Sequence, residues 1–266
     1  MDLISHTLTG VAVGTVFAAI SNDDWKRKCS IIFAGGIGGA LPDIDAISLW
    51  SRFDSTIGSF FGLEHTGREI YAGKFWYSHH AALHSILAPL IIILLAVFIT
   101  SIVRKNFEIS EIRSHFDLKK YSFLAFFFGF LFHLFEDMPT PGSVWGGVNL
   151  FFPSSEYIGG YGKIWWWNNY DLFLIIVCVI VLNLTINFVQ KFSHKIKMGA
   201  SISVFVLGFS LFLFQINTRP IDFSYSDHTP NFDNYEAQSK LIQKEILGET
   251  VFDIMTKIDG KIPLNF

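Results

Sequence analysis

The 266-residue sequence predicts an all-α, polytopic membrane helix bundle of about six transmembrane helices with a polar C-terminal tail. Three observations carry that prediction. The composition is 51% hydrophobic and 17% aromatic, with 29 Phe and only 16% charged residues, where an average soluble protein carries about 25% charged residues. The apolar residues fall in runs near the ~20 residues that a bilayer crossing requires. Lys and Arg gather in alternate connections between those runs. The same composition excludes a disordered or collagenous chain, and a net charge of -3 gives no reason to expect nucleic acid as a partner. Cys29 and Cys178 both sit in apolar runs and are too few for a disulfide framework or a Cys-ligated metal.

The first run, Leu3 to Ile20, follows an N-terminus without Lys or Arg, unlike the positive start of a signal peptide, and reads as a retained helix. The second, Cys29 to Leu41, spans only about 20 Å at 1.5 Å per residue and needs tilt or flanking help to cross. Ala81 to Val103 is long, with Pro89 expected to kink it. Tyr121 to Phe135 runs on into Glu136 and Asp137, and Leu172 to Gln190 and Gly199 to Ile216 complete six crossings. Beyond Asn217 the chain turns polar, and Asn234 to Leu247 has the pattern of an amphipathic helix.

Loops 21–28, 104–120 and 191–198 hold eleven Lys or Arg, whereas the longer loops 42–80 and 138–171 hold only Arg52, Arg68, Lys74 and Lys163. The positive-inside rule places the first three in the cytoplasm and the N-terminus, the two long loops and the tail outside. On that topology His6, Asp43, Asp45, His79, His80, His84, His133 and Asp137 all fall at the extracytoplasmic ends of four helices, with His79, His80 and His84 expected to open the third. Ionisable residues at membrane level are costly and read as functional. A lone histidine such as His6 would ordinarily be a satisfied core residue, LPDID a helix-stop turn, and the coincidence of all eight is what argues for a site. Trp165, Trp166 and Trp167 read as an interfacial belt or as a lipid-facing entrance.

Helical spacing orients the cluster. Gly129, His133 and Asp137 share one face, as do His6, Gly10 and Gly14, and Gly35, Gly39 and Asp43. Small residues four apart allow close helix approach, so packing and site are expected to share an interface. Imidazole with carboxylate and no thiolate suits zinc, and also manganese or iron, as one or two ions. Such a metal would supply hydroxide at neutral pH, with Asp43 or Asp45 as general base or as a bridge between metals.

Four motifs carry a family resemblance: His6 in SHTLTG; Asp43 and Asp45 in LPDID; HHAALHS from His79 to Ser85; and HLFEDMPTPG with His133 and Asp137. With NLFFP at Asn149 to Pro153, they occur in the family's order over residues 1 to about 175. The chain resembles the YdjM/YbcI-like family of membrane-bound, metal-dependent hydrolases, itself distantly similar to zinc-dependent phospholipase C and the S1/P1 nucleases. The resemblance implies a phospholipase C-like helical core and a bacterial inner-membrane location. It divides the chain into a hydrolase-like domain, residues 1–217, and an extracytoplasmic tail, 218–266. It departs from the family at His80 and Leu83, where Arg and Thr are usual, leaving Arg68 or Lys74 to meet a phosphate. Neither His194 nor His228 supplies the later ligand set of phospholipase C.

The expected activity is attack of metal-activated water on a phosphoester or related bond of a lipid or other amphiphile. The expected ligands are His6, Asp43, Asp45, His79, His84, His133 and Asp137. The alternative is a non-enzymatic membrane protein whose polar cluster is structural or binds a partner. A transporter is disfavoured because the fifth and sixth runs are nearly free of ionisable residues.

Overall fold

The computed structural model describes residues 1–223 and 232–261. Seven long helices dominate: α1 (Leu3–Ile20), α2 (Trp25–Ala40), α3 (Leu87–Arg104), α4 (Ile109–Asp137), α5 (Tyr170–Phe188), α6 (His194–Asn217) and α7 (Phe232–Asp259). Among the described residues there is no strand beyond two isolated bridges, Pro141 with Tyr161 and Val148 with Ile158. Five helices, α1, α3, α4, α5 and α6, are long and apolar enough to cross a membrane. The short second run becomes a sixth crossing only if α2 is joined to the 3-10 helix Pro42–Leu49, which leaves it at a bend of 48°. Pro42 forces that break, because it has no N–H to continue the ladder of α2.

Three expectations need correction. His79, His80 and His84 do not open the third helix, which begins at Leu87; they lie in turns before it, where His80 takes a left-handed φ of 62° that no helix accommodates. Pro89 is the third residue of α3 and does not interrupt it, since N–H groups of the first turn have no helical partner to lose. Most of the basic loop 104–120 is helical, because no Gly or Pro lies between Ile109 and Gly129 to end α4 on its way out of the apolar region.

The centre of the bundle is α1, α2 and α4, brought together at glycines. A Cβ on Gly10 would come within 2.2 Å of the Gly35 carbonyl oxygen, one on Gly39 within 2.2 Å of the His6 carbonyl, and one on Gly38 within 2.2 Å of the Phe126 carbonyl. Helix α2 thus presents Gly35 and Gly39 to α1 and Gly38 to α4. Gly129 closes the triangle, its missing Cβ 2.5 Å from the Gly35 carbonyl. Helices α5 and α6 pack outside α1 through Ile176, Val179, Phe212 and Ile216.

At the end where α1 begins, α2 and α4 finish and α5 starts, segment 138–169 folds over the bundle. It is pinned to the histidine turns by Asn149 N–H to His80 O (2.8 Å) and Ile86 N–H to Leu150 O (3.0 Å). The amphipathic helix expected in the tail is the first part of α7, which breaks at Gly248 (φ 72°). It docks through Tyr170 Oη to Asp259 Oδ2 (2.8 Å) and the Asp171 N–H to Gln243 Oε1 (3.1 Å). Trp165 is fully buried against Phe223 and Ile242, so it belongs to this docking contact and not to a lipid-facing belt. Asp171, which sequence left without a role, holds Arg219 by both oxygens at 2.9 and 2.8 Å.

The glycine seam makes a stability prediction. Gly38→Ala puts a methyl into the α4 backbone and should cost at least the ~1–3 kcal/mol of an overpacked core. Gly199→Ala meets nothing within 4 Å and should be neutral or slightly stabilising. Thermal melting of the two detergent-solubilised variants beside wild type decides it; equal melting points would mean that the seam is not close-packed.

Candidate metal centre

His6, Asp43, Asp45, His79, His84, His133 and Asp137 all come together at this end, and His80 joins them. Helix α1 delivers His6, α4 delivers His133 and Asp137, the 3-10 helix Pro42–Leu49 delivers both Asp43 and Asp45, and the turns before α3 deliver His79, His80 and His84. His6, His84 and His133 are wholly buried, and the Asp43 side chain, at 17% exposure, is the most open of the carboxylates in the cluster.

Hydrogen bonds fix which ring nitrogen is free in four of the imidazoles. His133 Nδ1 lies 2.7 Å from the Gly39 carbonyl and His80 Nδ1 2.9 Å from the Gly147 carbonyl. A carbonyl can only accept, so both Nδ1 atoms carry the proton and both Nε2 atoms keep their lone pairs. Nδ1 of His6 similarly faces Glu136 Oε2 at 2.8 Å, and Nδ1 of His79 faces Asp45 Oδ1 at 2.7 Å. Imidazoles that bind metals are held in this way, by a second contact through the far nitrogen.

The free atoms then converge. His133 Nε2 lies 3.0 Å from Asp137 Oδ2, 3.5 Å from Asp43 Oδ1 and 3.4 Å from His84 Nε2. His84 Nε2 is 3.8 Å from Asp43 Oδ1 and 3.7 Å from Asp137 Oδ2. Each of these distances is close to the roughly 3.4 Å that separates two ligands about 2.1 Å from a zinc-sized ion in a tetrahedral site. The other carboxylate oxygen, Asp137 Oδ1, turns toward α1, 3.1 Å from His6 Nε2 and 3.0 Å from the Met1 α-amino nitrogen. Three overlapping groups have the proximity to hold an ion: Asp43, His84 and His133; His6, His133 and Asp137; and His79, His80 and His84. Buried Asp137 Oδ2, Asp45 Oδ2, His6 Nε2 and His84 Nδ1 have no hydrogen-bond partner. Unpaired acceptors in a dry site are costly, and a cation relieves that cost. The residues therefore fit a metal by geometry and by donor type.

Electrostatics outside the helices agree. Burial alone lowers the His84 imidazole, but Asp45, Asp43 and Asp137 outweigh it and push it up to about 10. His80 moves the opposite way, well below the ordinary range, through burial and through His79 and His84 beside it. Without a metal, the carboxylates therefore recruit a proton onto His84, where a metal would place its own charge.

Sequence reasoning missed several members. Glu136 is buried, accepting from Thr9 Oγ1 as well as pairing with His6. Trp145 closes over His79 and His80 with ring centroids at 5.0 and 4.6 Å, and Tyr71 stacks on His79 at 4.6 Å. An ionisable Glu136 beside Asp137 in an apolar helix was a readable signal; the aromatic lids had none. Of the two basic residues expected to serve for the Arg absent at position 80, Arg68 is exposed and Lys74 Nζ lies 5.0 Å from the Tyr157 ring centroid.

Comparison with known proteins places the chain in a family. It belongs to the YdjM inner membrane protein family, whose model matches residues 1–218. No curated protein and no solved structure matches it, so the expected likeness to phospholipase C stays with the motifs.

Glu136→Ala should destabilise the protein by about 1–3 kcal/mol for each donor it strands, the His6 Nδ1–H and the Thr9 hydroxyl. Glu136→Gln keeps an acceptor and should recover part of the loss. Paired melting curves test this; two variants that melt like wild type would remove Glu136 from the architecture of the centre.

Proposed function

We propose that this member of the YdjM inner membrane protein family is a metal-dependent hydrolase that cleaves a phosphoester or related bond of a lipid or other amphiphile at the extracytoplasmic face. The convergence of His84 Nε2 and His133 Nε2 with Asp43 Oδ1 and Asp137 Oδ2, at 3.0 to 3.8 Å, carries the reading. The nitrogen and oxygen donor set favours zinc, with manganese or iron as alternatives. When bound, such a metal supplies Lewis acidity and a water of pKa near 7.

The chain's own residues would hold the ion and move the proton. Asp45 orients two imidazoles at once, with Oδ1 at 2.7 Å from His79 Nδ1 and Oδ2 at 3.3 Å from His84 Nδ1. That leaves His79 Nε2 as a proton acceptor beside the centre, with Asp45 stabilising the imidazolium that forms. Asp45 then acts through His79 and His84, and Asp43 remains a ligand. Tyr71 and Trp145 exclude water from the His79 side.

An amphiphilic substrate is supported by the surroundings. Ile44, Ile47, Trp50, Phe60, Phe61 and Trp76 are exposed in or near the segments that carry the ligands, and exposed Trp beside apolar side chains is the kind of surface that meets a bilayer interface. The distribution of Lys and Arg supports an outward-facing centre. The alternative, a purely structural cluster, draws on the ties that His6, Glu136 and Asp137 make between α1 and α4.

Metal analysis separates the two. Purified protein should carry at least one transition-metal ion per chain, falling more than tenfold in His133→Ala and Asp137→Ala. Wild-type protein that stays metal-free after reconstitution with zinc, with variants that only melt earlier, would establish the structural alternative instead. On a chromogenic phosphodiester amphiphile, His79→Gln should keep its metal yet lose about 10²- to 10⁴-fold in kcat, the usual contribution of a general base. Full activity in His79→Gln would exclude His79 from proton transfer.

A further inference from the structure

A cavity of about 660 Å³ lies among α1, α4, α5 and α6, on the opposite side of Glu136 from the metal centre. Its walls are almost entirely carbon, with Phe132, Phe205, Phe209 and Phe212 facing Ile175 and Val179. It lies within helices long and apolar enough to span the membrane, so the environment it faces is hydrocarbon. One end differs, where Tyr161, Lys163 and Asn217 form a polar rim. Lys163 is exposed and makes no ion pair among the described residues. The acidic group on the wall, Glu136, is already satisfied by His6 and Thr9 and leaves the Lys163 charge uncompensated.

Shape and charge together select an occupant. A groove of this volume is in the range of small-molecule sites, and an apolar lining rewards a flexible hydrocarbon that fills it through dispersion contacts. A lysine at the polar rim, without an ion pair among the described residues, attracts an anionic head group. We propose that this groove binds one acyl chain of an anionic phospholipid, with the phosphate at Lys163. The site lies beside the metal centre but does not depend on it; Glu136 stands in the wall between them, lining the groove while its carboxylate holds His6 and Thr9.

The test uses the full chain in detergent, with dioleoyl phosphatidylglycerol and dioleoyl phosphatidylcholine as probes and retained lipid read by native mass spectrometry. Wild type should prefer the anionic lipid by about fivefold, the contribution of one lysine near an anionic surface. Lys163→Gln should abolish that preference. Leu213→Trp, which fills the groove from α6, should lower retention of both lipids, whereas Leu94→Trp on the exposed face of α3 should not. Equal retention of the two lipids by wild type, a preference that survives Lys163→Gln, or undiminished retention in Leu213→Trp would each overturn the proposal. Metal content measured on the same samples stays at the wild-type value in all three variants, so a metal-free wild type defeats the hydrolase reading without touching this one.

Discussion

Gly39 carries only hydrogen where a Cβ would stand 2.2 Å from the His6 carbonyl oxygen, and its own carbonyl accepts from His133 Nδ1 at 2.7 Å. This one residue therefore joins α2 to α1 by contact and α2 to α4 by a hydrogen bond. Without apolar solvation to drive helices together inside a membrane, backbone approach of this kind supplies the dispersion contact that holds them. The same approach sets the distance between His6 and His133, whose rings stack at 3.9 Å, and thereby decides that their free nitrogens reach a common carboxylate, Asp137. The centre inherits its geometry from the seam.

That dependence explains what could be read from sequence. The four-residue spacing of Gly10 and Gly14, of Gly35 and Gly39, and of Gly129, His133 and Asp137 is a property of helical periodicity, visible without coordinates. The six apolar runs and the polar cluster at one end of four of them were legible for the same reason. Boundaries were less so. The break after Ala40 turns on Pro42, but the 3-10 continuation that carries Asp43 and Asp45 back over the bundle depends on tertiary contacts. The histidine turns likewise have no periodic signature: they are held by Asn149 and Leu150, more than sixty residues away. Trp165 looked like an interfacial residue because its partners, Phe223 and Ile242, lie in a tail whose docking no local pattern announces.

The polar residues at this end divide into two kinds by how they are satisfied. Glu136, Thr9 and Asp171 pair with protein groups and leave little chemistry unspent. Asp137 and Asp43 differ: Asp137 Oδ1 accepts from the Met1 amine but its buried Oδ2 has no hydrogen-bond partner, and both carboxylates face His133 Nε2, whose ring proton is committed to the Gly39 carbonyl. A sequence shows both kinds as rare charged letters in an apolar chain, and only hydrogen-bond accounting separates them.

The sign of the missing charge follows from that accounting. Asp43, Asp45, Glu136 and Asp137 bring four carboxylates into a site that water scarcely reaches, and His6, His79, His80 and His133 each face an acceptor through Nδ1. Uncompensated negative charge in a low dielectric is far more expensive than any single packing defect in the bundle. The Met1 α-amino group beside Asp137 offsets part of it, and a proton on His84 offsets more, consistent with the rise of that imidazole to about 10. A divalent cation offsets more, and does so where His84, His133, Asp43 and Asp137 already stand at coordination spacing. Charge and spacing thus agree on one place, the space around His84 and His133 between Asp43 and Asp137.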